Sequence, residues 1–292
     1  MFNTEHKPEI GVEERLIEGL SVVTAPNASP MTFTGTRSYI LGDREVAIID
    51  PGPNDPAHLA ALQAALRGRK VSHVLVTHSH VDHSPLAHAF DAPVLAFGPS
   101  GAGMSAVMQG LGDLGGGEGI DAGFVPDVTL ADGDIVQGDG WVVEAIHTPG
   151  HMSNHLCFAF NGGLFSGDHV MAWSTTLVSP PDGDLTQFMA SLRKLQGRRE
   201  ARYFAGHGPV LEDPQAMLTH QIAHRLGREA QILEALPNDI PAITVAVYMG
   251  LDGRLLPMAA RNVLSHLIDL CARGKVRCNG PIGFNGRFER VD

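Results

Sequence analysis

Cysteine is scarce in this chain. Of 292 residues only Cys157, Cys271 and Cys278 carry a thiol, an odd number with no Cys-x-x-Cys pair. That argues against a disulfide framework and makes a reducing cytoplasm the expected compartment. Long apolar runs are missing too: Met1 to Glu9 is polar, and no later stretch approaches the length needed to cross a bilayer. Neither export nor membrane insertion is expected. Positive charge is also short, with 21 Lys+Arg against 32 Asp+Glu. Residues 213–292 hold 9 basic and 8 acidic residues, so residues 1–212 hold 21 − 9 = 12 and 32 − 8 = 24. Bulk charge offers nucleic acid no attraction, and a polyanionic substrate would need metals or local basic loops. The Gly-x-Ser-x-Gly elbow of serine hydrolases is absent. What is present, 43% hydrophobic and 18% charged residues, suits a sizeable core in one large domain or two unequal ones.

Against that background one motif stands out, Thr77-His78-Ser79-His80-Val81-Asp82-His83. Three imidazoles and a carboxylate at this spacing suit divalent metals, with His78 and His80 placed for one ion and Asp82 and His83 for a second. The apolar run 71–76 before it reads as a buried strand, and Ser84-Pro85 after it as the N-cap and first residue of a helix. Upstream, residues 37–41 and 45–50 read as strands, the second stopped by Pro51-Gly52-Pro53, and residues 56–66 as a helix. The strand-then-ligand device recurs. Residues 141–146 lead to His151. Residues 156–160 and 164–166, joined by Asn161-Gly162-Gly163, form a hairpin leading to Asp168, and residues 202–205 lead to His207 between two glycines. Such distant ligands converge if the fold brings four strand ends to one rim.

In type and order these residues resemble the metallo-β-lactamase superfamily of hydrolases, over about residues 18–212: His78, His80, Asp82 and His83, then His151 in Thr-Pro-Gly-His, Asp168 in Ser-Gly-Asp and His207 in Gly-His-Gly. The resemblance implies an α/β fold, the αββα four-layer sandwich, with a dinuclear zinc site on one edge. It also implies the ligand sets: His78, His80 and His151 on one ion, Asp82, His83 and His207 on the other, and Asp168 bridging. The commonest antibiotic-degrading zinc lactamases have Cys where this chain has Asp168, so β-lactams are not the expected substrate. The expected cofactors are two divalent metal ions, Zn2+ first, with Fe or Mn as alternatives. A hydroxide held between two such cations would attack an ester, thioester, lactone or phosphodiester.

Within that scheme Asp82 is expected to orient the hydroxide through a carboxylate oxygen. His155 and His169 are candidates for protonating the leaving group, against a competing role of packing behind the ligands. Two rival functions are a mononuclear-iron persulfide dioxygenase and an inert, nucleic-acid-binding relative; the full ligand set weighs against both. His58, His73, His88, His220, His224 and His266 lack ligand spacing and belong in the core or on the surface. Asp50 resembles a turn-forming aspartate rather than a ligand. Gly98 to Gly123, with Gly115-Gly116-Gly117 and Gly119, reads as a mobile loop, either a lid or a plain insertion. Residues 172–176, Trp173 included, are expected to line the pocket or pack beside it.

From Asp213-Pro214 the pattern turns helical. Leu218, Ile222, Leu226 and Ile232-Leu233 keep helical spacing over residues 216–236, residues 243–248 follow, and residues 256–272 form another amphipathic helix before a hairpin of residues 275–278 and 287–291. The expected division is a catalytic domain, 1–212, and a small helical winged-helix-like domain, 213–292. His224-Arg225, Arg228-Glu229, Ile232-Leu233, the helix from Leu264 to Leu270 and Gly274-Lys275-Val276 resemble the helical extension of the beta-lactamase-like protein two branch, which includes an endoribonuclease acting on single-stranded RNA. RNA is therefore an alternative to a small-molecule substrate. With a net charge of +1 the tail has little phosphate affinity, and packing or homodimer formation is its expected use.

Overall fold

Seven strands form one sheet in chain order: β1 (Glu13–Ile17), β2 (Leu20–Thr24), β3 (Arg37–Leu41), β4 (Glu45–Ile49), β5 (Lys70–Leu75), β6 (Val94–Ala96) and β7 (Val128–Thr129). The computed structural model describes residues 2–112, 114–115, 119–161 and 163–291. Pairing is antiparallel up to β4 and parallel from β4 to β7, with α1 (Pro56–Leu66) and α2 (Ala106–Gln109) on the crossovers. A second sheet contains β8 (Ile135–Gly138), β9 (Trp141–His147), β10 (Leu156–Phe160), β11 (Gly163–Gly167) and β12 (Arg202–Ala205). It is antiparallel except between β11 and β12, which α3 (Leu185–Gln196) connects.

The period of two in the strands sets the layers. In β4, Ala47 and Ile49 join Phe158, Phe165 and Phe204 in the core between the sheets. The alternate residues, Val46 and Ile48, pack with Leu62 and Leu66 of α1 outside the first sheet. Outside the second sheet, Ile146, Cys157, Leu164 and Tyr203 pack with Phe188, Leu192 and Leu195 of α3. Helix, sheet, sheet, helix is the expected αββα order. Burying one such side chain contributes roughly 1.5–3 kcal/mol, so each layer is held by its apolar stripe. The start of α1 is fixed by Asp55, whose side chain accepts from the amides of Ala57 and His58 at 2.8 and 2.9 Å, with Pro56 in the first turn.

After β12 come α4 (Pro214–Glu234), β13 (Asn238–Asp239), α5 (Ile240–Val247), α6 (Leu256–Ala272) and the hairpin of β14 (Val276–Asn279) and β15 (Arg287–Arg290). β13 joins the hairpin as a third strand, in the order β13-β15-β14, which completes a winged helix. Its core is built from Ile232, Ile240, Ile243, Val263, Leu264, Leu267 and Phe288. α4 serves two cores: Met217 and Leu218 pack outside the second sheet, while Ile232 packs in the winged helix.

One expectation needs correction. No helix starts at Ser84-Pro85; a single three-residue turn, Ala87–Ala89, follows instead, because the Ser84 hydroxyl donates to Asp121 Oδ2 at 2.7 Å rather than capping. The described residues of the glycine-rich stretch are partly anchored. Ser105 caps α2, accepting from the Met108 amide at 3.2 Å, and Met108 and Leu114 are buried in the winged-helix core. Gly116 and Gly117, like Gly162 in the β10–β11 turn, lie outside the described residues.

Candidate metal centre

The ends of β5, β9, β11 and β12 meet at one rim, and each hands over a loop rich in donors. His78, His80, His151 and Asp168 form one group and Asp82, His83 and His207 another, with the ligand atoms of each group within 4.8 Å of one another. His78 Nε2 and His151 Nε2 approach His80 Nδ1 to 2.9 and 3.1 Å. His83 Nε2 lies 3.4 Å from His207 Nε2 and 3.3 Å from Asp82 Oδ2. Asp168 touches both groups: Oδ2 is 3.6 Å from His151 Nε2 and 3.3 Å from His207 Nε2, and Oδ1 is 3.6 Å from His83 Nε2.

Four of the five rings are aimed by a bond on the far side. His83 Nδ1 donates to Asp50 Oδ2 at 3.0 Å, His151 Nδ1 to Leu177 O at 2.8 Å, and His207 Nδ1 to Gly35 O at 3.3 Å, while His78 Nδ1 pairs with the Thr77 hydroxyl at 2.9 Å. Such bonds fix the tautomer that leaves Nε2 free as a donor to metal. Asp50 also accepts from the Thr77 amide and hydroxyl, both at 2.7 Å. Its role is thus larger than turn formation. Thr36 Oγ1 donates to Asp82 Oδ2 at 3.0 Å and sets that carboxylate. Neither contact leaves a spacing signal in the sequence.

Electrostatics divide the two groups. Burial, helped by the neighbouring His83 and His80, holds His78 well below the usual imidazole range, and burial with His151 lowers His80 to about 3. In the second group burial opposes charge on His207, but Asp168 and Asp82 outweigh it and carry the ring up to about 9. Burial alone would favour the neutral acid at Asp168, yet His207 and His83 hold it well below the carboxylate range. Asp168 Oδ1 is buried without a hydrogen-bond partner. Neutral imidazoles converging on one point, two ionised carboxylates and an orphaned oxygen between the groups form a donor set that fits two divalent ions of the nitrogen- and oxygen-binding kind.

Four of the donors, His80, Asp82, His151 and Asp168, line a cleft of about 420 Å³, walled by Met31, Val81, Ile120, Leu177 and Met258 and edged by Ser179, Asp182 and Arg261. A larger groove, about 700 Å³, opens at the opposite strand ends around Trp141 and Phe160, and none of the seven donors lines it. His155 and His169, the candidates for protonating a leaving group, are fully buried and are not among the described residues that line the cleft. His155 Nδ1 pairs with Thr148 Oγ1 at 2.9 Å, its ring 5.2 Å from that of His78; His169 packs on Phe188 at 4.7 Å. Burial lowers His169 to about 3, which keeps it without a proton at neutral pH. Trp173 stacks on Phe33 at 4.9 Å, away from the cleft, whereas Leu177 and Ser179 reach it. The wall residues Met258 and Arg261 come from α6, where no sequence pattern marks them.

Comparison with known proteins agrees with this geometry. Residues 31–207 match the model of the metallo-beta-lactamase superfamily, and residues 240–282 that of the beta-lactamase associated winged helix domain. The chain is 34% identical over 294 residues to the beta-lactamase-like protein 2 homolog of Drosophila melanogaster, covering 90% of this chain and 91% of that one. It is 32% identical over 225 residues to an atrochrysone carboxyl ACP thioesterase of Aspergillus fumigatus, covering 74% of this chain and 64% of that protein's length. A beta-lactamase domain protein from Burkholderia ambifaria shares the fold, with a TM-score of 0.82 at 20% identity over 98% of this chain and 96% of the other. With its domain matched, its donors gathered and its winged helix in place, the chain belongs to the metallo-beta-lactamase superfamily.

Proposed function

We propose that the protein is a hydrolase that binds two divalent ions, zinc by preference, and cleaves thioesters of apolar acyl groups. The observation that carries this reading is the position of the donor cluster at the floor of a cleft whose walls are methionine, valine, isoleucine and leucine. Thioesterases among the relatives support it. Two ions at such a site supply Lewis acidity, lowering the pKa of water and polarising a carbonyl oxygen. The chain's own residues do the rest. Asp82, fixed by Thr36, offers its carboxylate to the attacking water's proton. The apolar walls receive the acyl chain and exclude bulk water. Among the described lining residues the imidazoles are His80 and His151, both turned to the donor cluster. A leaving group that departs unprotonated therefore suits the site, and thiols, with a pKa of about 8.5, do so near neutral pH.

The RNA alternative finds less support. Arg261 is the one Lys or Arg among the described lining residues, and its guanidinium already donates to Ser179 Oγ at 2.6 Å, Pro180 O at 2.8 Å and Leu114 O at 3.3 Å. Metal quantitation, followed by a panel of thioesters of increasing acyl length, lactones, phosphodiesters and single-stranded RNA, tests the proposal. Two zinc ions per chain with turnover rising with acyl length is the expected result. Cleavage of RNA without thioester hydrolysis, or one iron per chain with persulfide oxidation, would overturn it.

A further inference from the structure

α4 lies outside the second sheet, yet one of its side chains reaches the layer behind the metal ligands. Arg225 is buried, 3% exposed, and its Nη2 donates to the carbonyl of Thr176. Nη1 donates to Asn262 Oδ1 at 2.7 Å, and the guanidinium sits over the Phe188 ring at 5.2 Å. These contacts hold the cation through a carbonyl, an amide and a ring, with no ion pair to a carboxylate among the described residues. Burying a charge on such terms is costly, so what it holds in place is informative.

Thr176 is the hub. Its hydroxyl lies 2.8 Å from Asp168 O and 3.0 Å from His169 O, and the carbonyl of the next residue, Leu177, accepts from His151 Nδ1. A second route runs through Phe188, whose backbone is so close to Gly150 that an added Cβ would lie 2.2 Å from Phe188 Cα; Gly150 immediately precedes His151. We propose that Arg225 is a positioning residue for the metal centre, which fixes His151 and Asp168 through the Thr176-Leu177 peptide and through α3. The winged-helix side of the molecule would then tune metal binding without touching metal. This inference rests on the reading of the site as a metal centre.

The test measures zinc affinity by competition with a chromophoric chelator, and the electronic spectrum of the cobalt-loaded protein, in full-length variants. Arg225→Gln should bind zinc about 10–100-fold more weakly and shift the cobalt bands, as loss of a bond behind a ligand does. Thr176→Val, nearly isosteric, should change both readouts in the same direction. Arg228→Gln is the control: it lies on the same helix over Tyr248 at 4.1 Å and donates to Val247 O, so its affinity should stay at the wild-type value. Unchanged affinity and spectrum in Arg225→Gln and Thr176→Val overturn the proposal. If Arg225→Gln fails to fold, Arg225→Lys, which keeps the charge but loses the planar fork that holds the Thr176 carbonyl and Asn262 together, decides by the same criterion. A wild-type protein that binds neither zinc nor cobalt would instead sink the metal reading itself, an outcome distinct from a tight-binding wild type with tight-binding variants.

Discussion

The carboxylate of Asp50 sits 3.0 Å from Nδ1 of His83 and thereby turns the opposite ring nitrogen toward Asp82 and Asp168. Asp50 achieves this at φ +51°, in the left-handed region that non-glycine residues seldom occupy, a strain of about 1 kcal/mol or more. A residue kept in that conformation next to a donor cluster is there for its carboxylate. Asp50→Asn should weaken metal binding about 10–100-fold, read by chelator competition. Wild-type affinity in this variant would show that His83 is aimed by something else.

The Asp168 carboxylate lies within reach of both donor groups. Asp168→Ala should lower turnover by about 10³-fold on every substrate the wild type accepts, since the electrostatic stabilisation at stake is several kcal/mol. Steady-state assays on metal-replete protein check this; full activity would remove the paired-ion reading.

His58 predicts a pH dependence of stability. Burial pushes its pKa down to about 4, and its Nε2 pairs with Ser38 Oγ at 2.8 Å. Between that value and the 6.5 of the unfolded chain, only the unfolded state binds the proton. Stability should therefore fall as pH drops from 6.5 toward 4 and level off below, by up to about 3 kcal/mol from this group. His58→Gln, which retains an amide for Ser38, should show a flatter decline in urea midpoint over the same window. Parallel declines in variant and wild type would assign the acid sensitivity to other groups.

Gly150 has φ +139°, and its position against the Phe188 backbone leaves no room for a methyl group. Gly150→Ala should cost about 3 kcal/mol or more in urea unfolding, because rigid backbone rather than a flexible side chain would have to move. The same variant should bind zinc more weakly, as His151 follows Gly150.

For the cleft, Met258→Asp places a charge on the apolar wall. KM for a long-chain thioester should rise about 10-fold or more with kcat little changed, since burying a methionine-sized group is worth roughly 1.5–3 kcal/mol. A fall in kcat at constant KM would put Met258 in contact with the reacting atoms instead.

The donors are legible in the sequence because metal binding demands particular side chains, and the chain presents them immediately after short apolar strands such as residues 71–76 and 202–205. Spacing carries that signal even before the strands are paired. His155 and His169 also neighbour donors in sequence, yet both are buried. Ser84 misleads because its hydroxyl has a partner, Asp121, 37 residues away. Asp50, Thr36, Arg225 and Arg261 act through contacts with residues far away in sequence, which no local pattern encodes.

Because α4 is shared between the outer layer of the sandwich and the winged helix, the two parts of this molecule cannot diverge independently. A chain cut ahead of Pro214 would lose Met217 and Leu218 from beneath the second sheet and, with α6, the Met258 and Arg261 side of the cleft. Exchanging tails between relatives would demand matched surfaces on both sides of one helix. Substrate preference and tail sequence should then be inherited together, a covariation between α6 positions and the cleft residues around Leu177 and Ile120.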